Sequence, residues 1–461
     1  MNRYYVLLVT TLSTLMAAVD STIVYLALPE IGENFQTNVS NLTLVIVIYI
    51  ISSTVMLAPA IEIIKKFGNR EFYITGFSLF TASSLFVALS PGINFMIISR
   101  FFEGIGAGIM TATDIPIILN AFPQEERGRA VGINSISWSV GTLMGPLLGG
   151  FLVLFNWRYI FLINVPVGIL AIFFAFKFIK KSKKLNEKIN FTSSIAMLVF
   201  LVPLIIGISF INIYYLIISA IIFPFFFYAQ YRRPVISRNL LKSRQFSLIS
   251  IASFLESFAF FSVLYAMSIY YESYLGISSL DAGILIFPYP LASIISSPLG
   301  GYLYDRYGHG EVIMNAGILL EGVSIMFIGL YLSYIPELLF LAGLGGSLFW
   351  SPSTTMITDA RGYSHRTEAN NSLFILRNMG MIISISMLPV FMFIFGHSGH
   401  IINIYDMVKD SAIKGSIRYY LIFTSTVALS GLIFGFINII RHRNNKTYWN
   451  ETGLYKKESK P

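Results

Sequence analysis

The chain has 461 residues, of which 55% are hydrophobic and only 12% charged, and its mean hydropathy is +0.71. Soluble domains carry roughly 25% charged residues, so this chain lacks the polar groups to cover a globular surface and reads as an all-α integral membrane protein. The absence of cysteine excludes disulfides, thiolate metal sites and thiol catalysis.

Apolar runs long enough to cross a ~30 Å hydrocarbon core recur along the whole length. Met1 to Ala18 has the outline of a cleavable leader, but the apolar stretch resumes and reaches Pro29, so it is read as an uncleaved first span. The first six expected spans are Tyr5–Pro29, Leu42–Ile64, Phe72–Leu89, Asn94–Phe122, Ala130–Phe155 and Tyr159–Phe178. A middle pair follows at Phe191–Phe210 and Ile213–Tyr228. The last six are Phe246–Tyr271, Leu280–Tyr304, Val312–Tyr334, Glu337–Thr358, Asn371–Phe395 and Ile417–Ile440. The expectation is therefore about 14 transmembrane helices in a 6+2+6 arrangement.

Charge sets the parity of the short middle pair. A basic cluster precedes it (Lys177, Lys180, Lys181, Lys183, Lys184, Lys188) and another follows it (Arg232, Arg233, Arg238, Lys242, Arg244). Both belong in the cytoplasm, so an even number of crossings lies between them. With the N-terminus inside, 26 of the 32 Lys and Arg fall in cytoplasmic segments. The formal charge of +9 is thereby accounted for by loops facing anionic lipid, and nucleic-acid binding is not indicated. Both termini are expected in the cytoplasm of a multi-pass plasma-membrane protein.

Ile61–Arg70 (IEIIKKFGNR) and Gly301–Gly310 (GYLYDRYGHG) close the second and tenth spans with the same order of apolar helix end, charged pair, aromatic and glycine. The two sets of six spans thus read as parallel repeats, an arrangement that places a transport site between halves. The expected division is a six-helix bundle over 1–178, basic loops with two inserted helices over 179–244, a second six-helix bundle over 245–440 and a cytoplasmic tail over 441–461.

These features resemble the major facilitator superfamily, and more narrowly its fourteen-span drug/proton antiporter branch of EmrB/QacA type. The stretches that carry the resemblance are VDSTIVYLALP (Val19–Pro29), IISRFFEGIGAG (Ile97–Gly108), GTLMGPLLGG (Gly141–Gly150), WRYIFLINVPVG (Trp157–Gly168), GGYLYDRYG (Gly300–Gly308) and LRNMG (Leu376–Gly380). Each falls in order in its expected span. The resemblance implies the major facilitator fold.

Gly141, Gly145 and Gly149 lie four residues apart and share one helix face, where small residues allow close backbone approach. Pro146 removes a backbone donor and bends the helix. The resemblance makes this segment, with Gly150, the antiporter signature; plain helix packing is the other reading. Gly301 permits close packing, Gly308 a tight turn, and Asp305, beside Arg306, can accept from the next helix's N-terminal amides. The resemblance implies a cytoplasmic latch there. In the first copy Ile61 stands where glycine is expected and Lys65 where the aspartate is expected. That latch is either degenerate or served by Glu62.

Ionisable residues inside spans are costly, so they face a cavity or a partner. They are Asp20, Arg100, Glu103, Asp114, Glu256, Glu321 and Arg377. Asp20 and Arg100 have similar depth, and the resemblance places their helices side by side. An Asp20–Arg100 pair, shared by Glu103 one turn away, is expected to break and reform during transport; a static structural pair is the alternative. Glu256 and Glu321 have no evident basic partner and are the C-terminal candidates for binding a proton or a cationic substrate. Each equally reads as a neutral acid bonded to a neighbour. Asp114 lies nearer the cytoplasmic end, and for Arg377 the resemblance favours a structural or gating role.

No phosphate-binding loop or catalytic cluster is present, so neither an enzyme nor direct ATP drive is expected. No cofactor is called for; His397 and His400 read as solvated loop residues rather than metal ligands. The expected activity is export of hydrophobic or cationic drug-like compounds in exchange for protons by a monomeric unit in lipid. Proton-coupled transport of a specific metabolite, or a non-transporting sensor on the same scaffold, are the alternatives.

Overall fold

The computed structural model describes residues 3–123, 126–181, 191–232, 234–236, 238–359, 366–395 and 411–444. Secondary structure among them is helical, without strands. The first span is α1 (Arg3–Ile23), a 3₁₀ turn (Val24–Ala27) and α2 (Leu28–Phe35). Then come α3 (Val39–Phe67), α4 (Asn69–Ala88), α5 (Ile93–Ala121), α6 (Arg127–Val153), α7 (Tyr159–Leu162) and α8 (Asn164–Phe178). The middle pair is α9 (Thr192–Ser209) and α10 (Ile213–Arg232). After α11 (Arg238–Leu241), the ninth span is α12 (Arg244–Phe260), α13 (Ser262–Ser268) and a π turn (Ile269–Tyr274). The tenth is α14 (Ser279–Ile286) with α15 (Pro288–Tyr307), followed by α16 (Gly310–Tyr331), α17 (Ile335–Asp359), α18 (Arg366–Phe395) and α19 (Ser411–Asn444).

Thirteen of these segments are long and apolar enough to cross a membrane. The helix carrying the expected span Glu337–Thr358 is 25 residues long and packs between α15 and α16, but Gly, Ser, Thr and Pro lower its apolarity. Protein neighbours rather than lipid surround it, which removes the demand for an apolar outer face.

The middle pair forms a tight hairpin. Asn212 N–H donates to the Gly207 carbonyl at 2.9 Å and Ile211 takes a positive φ of 52°. An αL conformation is costly for a β-branched residue, so the short loop is bought by the packing of the two helices. Phe200 stacks on Phe226 at 4.8 Å, while Ile221 on the outer side of α10 is 72% exposed to what would be lipid. On the inner side Ser40 of α3 donates to the Ser209 carbonyl at 2.6 Å, and α9 packs against α3 and α18.

The described ends of the chain lie on one side of the bundle, here the terminal face; the opposite side is the distal face. The halves meet where α3 packs on α18 and, in the distal part, where α6 packs on α14 and α15. A Cβ placed on Gly150 would fall 2.6 Å from the Ser279 carbonyl oxygen, and one on Gly283 would fall 2.8 Å from the Pro146 carbonyl oxygen. Only glycine permits backbones to approach so closely. Pro29 supplies no N–H to the Tyr25 carbonyl, so the first span tightens there to 3₁₀, and Leu28 N–H caps Tyr25 instead. The second lone pair of that carbonyl accepts from Ser268 Oγ in the other half at 2.6 Å. Thr43 and Tyr265 hydroxyls, 2.9 Å apart, form another link. At mid-depth Asn378 Nδ2 donates to Thr54 Oγ1 at 2.7 Å, and Trp138 meets Phe374 edge to face at 6.2 Å. Asn378→Ala is expected to lower thermal stability in detergent by about 0.5–1.5 kcal/mol, the net worth of one such bond; an unchanged melting curve would show that the contact is incidental.

Candidate functional site

Two buried ionic clusters sit in the two halves. In the first, Arg100 on α5 is 1% exposed and Asp20 on α1 and Glu103 on α5 are 0% exposed. Arg100 Nη1 lies 2.9 Å from Asp20 Oδ2 and 2.9 Å from Glu103 Oε2. Its Nε donates to the Val45 carbonyl at 3.3 Å, and its guanidinium lies 4.1 Å from the centre of the Tyr49 ring. Asn164 of α8 donates to Asp20 Oδ1 at 3.1 Å, and Ser84 of α4 donates to Glu103 Oε1. The acids' oxygens are thus met from α4, α5 and α8 together. Two carboxylates against one guanidinium sum to a charge of −1 when both are ionised. Burying that excess in a low dielectric is unfavourable, and one added proton removes it.

Close packing brings these helices together. Gly104 and Gly108 of α5 face α3, where a Cβ on Gly108 would lie 2.5 Å from the Ser53 carbonyl oxygen. Gly141, Gly145 and Gly149 of α6 face α1: their Cβ positions meet Ala18 and Leu15, Thr22, and Ile23 respectively. Asp20 therefore sits on the very turns of α1 that α6 clasps from the opposite side, while Gly150 of the same segment touches the other half. Pro146, inside α6, presents its carbonyl to Gly283 of that half.

Asp114, further along α5 toward the terminal face, is held apart from this cluster. It accepts from Ser13 Oγ at 2.5 Å and from Thr14 Oγ1 at 2.9 Å. Its partners are hydroxyls, and Asn134 of α6 joins the network through Thr14 at 3.0 Å.

In the C-terminal half, Glu256 of α12 and Glu321 of α16 are both 0% exposed and their carboxyls lie against each other, while Glu321 Oε2 accepts no hydrogen bond from the described residues. Sequence reasoning treats them as separate candidates; packing joins them. Trp350 Nε1 of α17 donates to both Glu256 oxygens at 2.8 Å. Tyr289 of α15 donates to Glu321 Oε1 at 3.1 Å. A Cβ on Gly346 would lie 3.0 Å from Glu321 Oε1, so α17 needs glycine there to admit the acid. Arg377 of α18 stacks over the Trp350 ring at 4.2 Å and donates to Ser353 Oγ at 2.6 Å and Thr354 Oγ1 at 3.1 Å. It is thus one aromatic ring away from Glu256 rather than ion-paired with it.

At the terminal face, Gly308 has a φ of +67° and caps α15, its N–H donating to the Tyr304 carbonyl at 2.8 Å. Gly301 lies against Ser351, whose Oγ would be 3.3 Å from a Cβ. Arg306 is exposed and donates to Tyr302 Oη at 2.7 Å. The side chains of Asp305, Ile61 and Lys65, with His397, His400 and the tail beyond 444, lie outside the described residues.

Sequence reasoning did not single out Tyr49, Ser84, Asn164, Tyr289 or Trp350. Trp350 carried the clearest signal. It is one of only four tryptophans and lies within a span rather than at its end, away from the interfacial belt where Trp is usual.

The sequence profile described as "Major Facilitator Superfamily" matches residues 10–241 and 249–453. Among curated proteins, the chain is 28% identical over 376 residues to "Riboflavin transporter RibZ" of Clostridioides difficile (strain 630), covering 77% of this chain and 81% of that protein. It is 29% identical over 413 residues to "Multidrug resistance protein Stp" of Mycobacterium tuberculosis (strain CDC 1551 / Oshkosh), covering 84% and 76%. It is 26% identical over 448 residues to "Putative multidrug resistance protein MdtD" of Escherichia coli O6:K15:H31 (strain 536 / UPEC), covering 93% of each. Among solved structures, a bacterial homologue of the human lysosomal transporter Spinster superposes with a TM-score of 0.67 at 16% identity, over 94% of this chain and 96% of that one. A D-xylose-proton symporter superposes with a TM-score of 0.68 at 14% identity, over 94% and 97%. These structural matches share the fold.

Proposed function

We propose, since the chain belongs to the major facilitator superfamily and is a membrane transporter rather than an enzyme, that it exports hydrophobic or cationic drug-like compounds in exchange for protons. The observation that carries this reading is the buried cluster in which Asp20 and Glu103 share Arg100. Two acids around one cation form a site whose charge changes by binding a proton, which is what coupling to a proton gradient requires. The cluster lies on α1 and α5, and α1 is clasped by α6, the helix that reaches the other half at Gly150. Protonation of the cluster and the meeting of the halves thus act on the same helix.

The terminal face is the cytoplasmic one on this reading, because the basic segments Lys177–Lys181 and Arg238–Arg244 border it. The distal joining of the halves then corresponds to a state closed to the outside of the plasma membrane. Rocking of one half against the other would expose the central surfaces to each side in turn. Protons entering from outside would release Arg100 from one carboxylate, and substrate would leave in exchange. The names of Stp and MdtD as multidrug resistance proteins support the export of drug-like compounds. The riboflavin transporter RibZ favours a second reading, proton-coupled transport of one specific aromatic metabolite.

Transport into everted vesicles with an imposed pH gradient separates the readings. Proton-driven accumulation of cationic dyes, lost when the gradient is collapsed, is the expected result. Accumulation of riboflavin with no dye transport supports the second reading, and transport indifferent to the gradient sinks both.

A further inference from the structure

The Glu256–Glu321 pair is the one buried acidic cluster of the described residues that the coupling scheme above does not use. Two carboxylate oxygens are both acceptors, so buried carboxyls that lie against each other have an oxygen left without a donor until a proton binds between them. Both side chains are 0% exposed, and Glu321 Oε2 accepts no hydrogen bond from the described residues. The other oxygens are met by donors: Trp350 Nε1 donates to both Glu256 oxygens at 2.8 Å and Tyr289 Oη to Glu321 Oε1 at 3.1 Å. Tyr289 also donates toward the Phe260 carbonyl at 2.9 Å, so its proton is divided between two acceptors.

The groups facing the pair are few. From α15 it is Tyr289, from α17 Trp350, and from α18 Arg377, which is separated from Glu256 by the indole. α13 and the stretch of α19 between Arg418 and Arg441 contain no Asp, Glu, Lys, Arg or His. Phe260 stacks on Trp350 at 4.8 Å and Phe261 lies edge-on to it at 6.3 Å, closing the site with rings. An organic substrate does not fit against carboxyls so enclosed. Trp350 itself is only partly buried, so it forms the lid between the pair and the space beyond.

We infer that Glu256 and Glu321 form a single proton-binding site in the C-terminal half, read out by Trp350 and balanced by Arg377. With both acids ionised, two carboxylates face one guanidinium across the indole, the same surplus of one negative charge as at Asp20, Glu103 and Arg100. Each half therefore carries its own centre that a single proton neutralises. Loss of the proton from the C-terminal pair draws Arg377 toward Glu256 across Trp350. The next residue, Asn378, holds Thr54 of the other half, so this motion reaches the contact between halves. The inference deepens the proton-coupled reading and rests on it for its use in transport, while proton binding itself is measured without transport.

The test uses the purified full-length chain in lipid nanodiscs. Trp138→Phe, Trp157→Phe and Trp449→Phe leave Trp350 as the single tryptophan. Its emission is expected to titrate with pH and to be unaffected by sodium at constant pH. Glu256→Gln abolishes the titration. Glu321→Gln does the same, because its amide supplies permanently the hydrogen that the proton provides. Asp20→Asn, in the other half, leaves the titration in place even where it stops transport; the two readings thus fail independently. Should the triple variant misfold, infrared difference spectra of the otherwise native chain carry the same test: a protonated-carboxyl band present in the native chain and lost in Glu256→Gln. An emission that ignores pH, a band that survives Glu256→Gln, or a response to sodium in place of protons overturns the inference.

Discussion

Asp20→Asn is expected to abolish uphill, proton-driven transport while leaving the chain folded and inserted. The amide keeps the size of the carboxyl. Its oxygen still accepts from Arg100, whose Nη1 lies 2.9 Å away in the native chain. What it removes is the surplus negative charge, so Arg100 balances Glu103 alone and the site has no further use for a proton. Uphill accumulation should fall at least about tenfold, equivalent to ~1.4 kcal/mol of lost coupling, with downhill exchange retained. Glu103→Gln leaves the same charge balance from the other side. If Glu103→Gln stops uphill transport and Asp20→Asn does not, the proton rides on Glu103. Arg100→Ala differs in kind: it leaves two acids buried without their cation, and removing one partner of a buried pair costs about 3–5 kcal/mol. A loss of folded protein in membranes is the expected outcome, read by detergent-resistant monodisperse yield. Normal uphill transport by both acid variants would remove the cluster from the coupling scheme.

Gly150→Val should prevent the distal parts of the halves from closing. A Cβ there falls 2.6 Å from the Ser279 carbonyl oxygen and 3.0 Å from Leu280 Cα. Both atoms are backbone, so no rotamer change relieves the overlap, and the cheaper response is separation of the halves. The lack of native cysteine makes this directly measurable. In a Ser268→Cys background, the thiol is buried against Tyr25 of the other half when the distal face is closed. Gly150→Val is expected to raise its labelling by an impermeant maleimide at least about tenfold, a shift of ~1.4 kcal/mol in the population of the closed form, and to stop transport. Gly92→Val is the matched control: nothing lies within 4 Å of its Cβ position, and its φ of −173° is extended backbone that any residue adopts. Equal labelling of the two variants would mean that Gly150 sets no limit on closure.

Gly150 also illustrates how far a linear motif carries. The four-residue spacing of Gly141, Gly145 and Gly149 announces a face for close packing, and it does pack on α1. Nothing in the spacing says that Gly150, one residue on and turned by about 100°, belongs to a different contact with the other half. The kink of the first span is similar. Pro29 foretells a missing donor at Tyr25, but only the folded chain reveals that Leu28 N–H takes its place and that Ser268, distant in sequence, donates to the same carbonyl.

The sequence by itself determined the helical membrane class, the spans, the 6+2+6 order and the even parity of the inserted pair. These are properties of depth: along a helix rising about 1.5 Å per residue, apolar length and flanking charge are read directly against the bilayer. Tertiary structure decided which residues at a given depth meet. Glu256 and Glu321 come from helices with α13, α14 and α15 between them in the chain, and Trp350 and Tyr289 arrive from two more. The direction in which a membrane helix turns its polar residues leaves little trace in its pattern, because lipid and neighbouring helices are equally apolar. Packing of glycine against backbone sets those directions, and with them the two buried clusters.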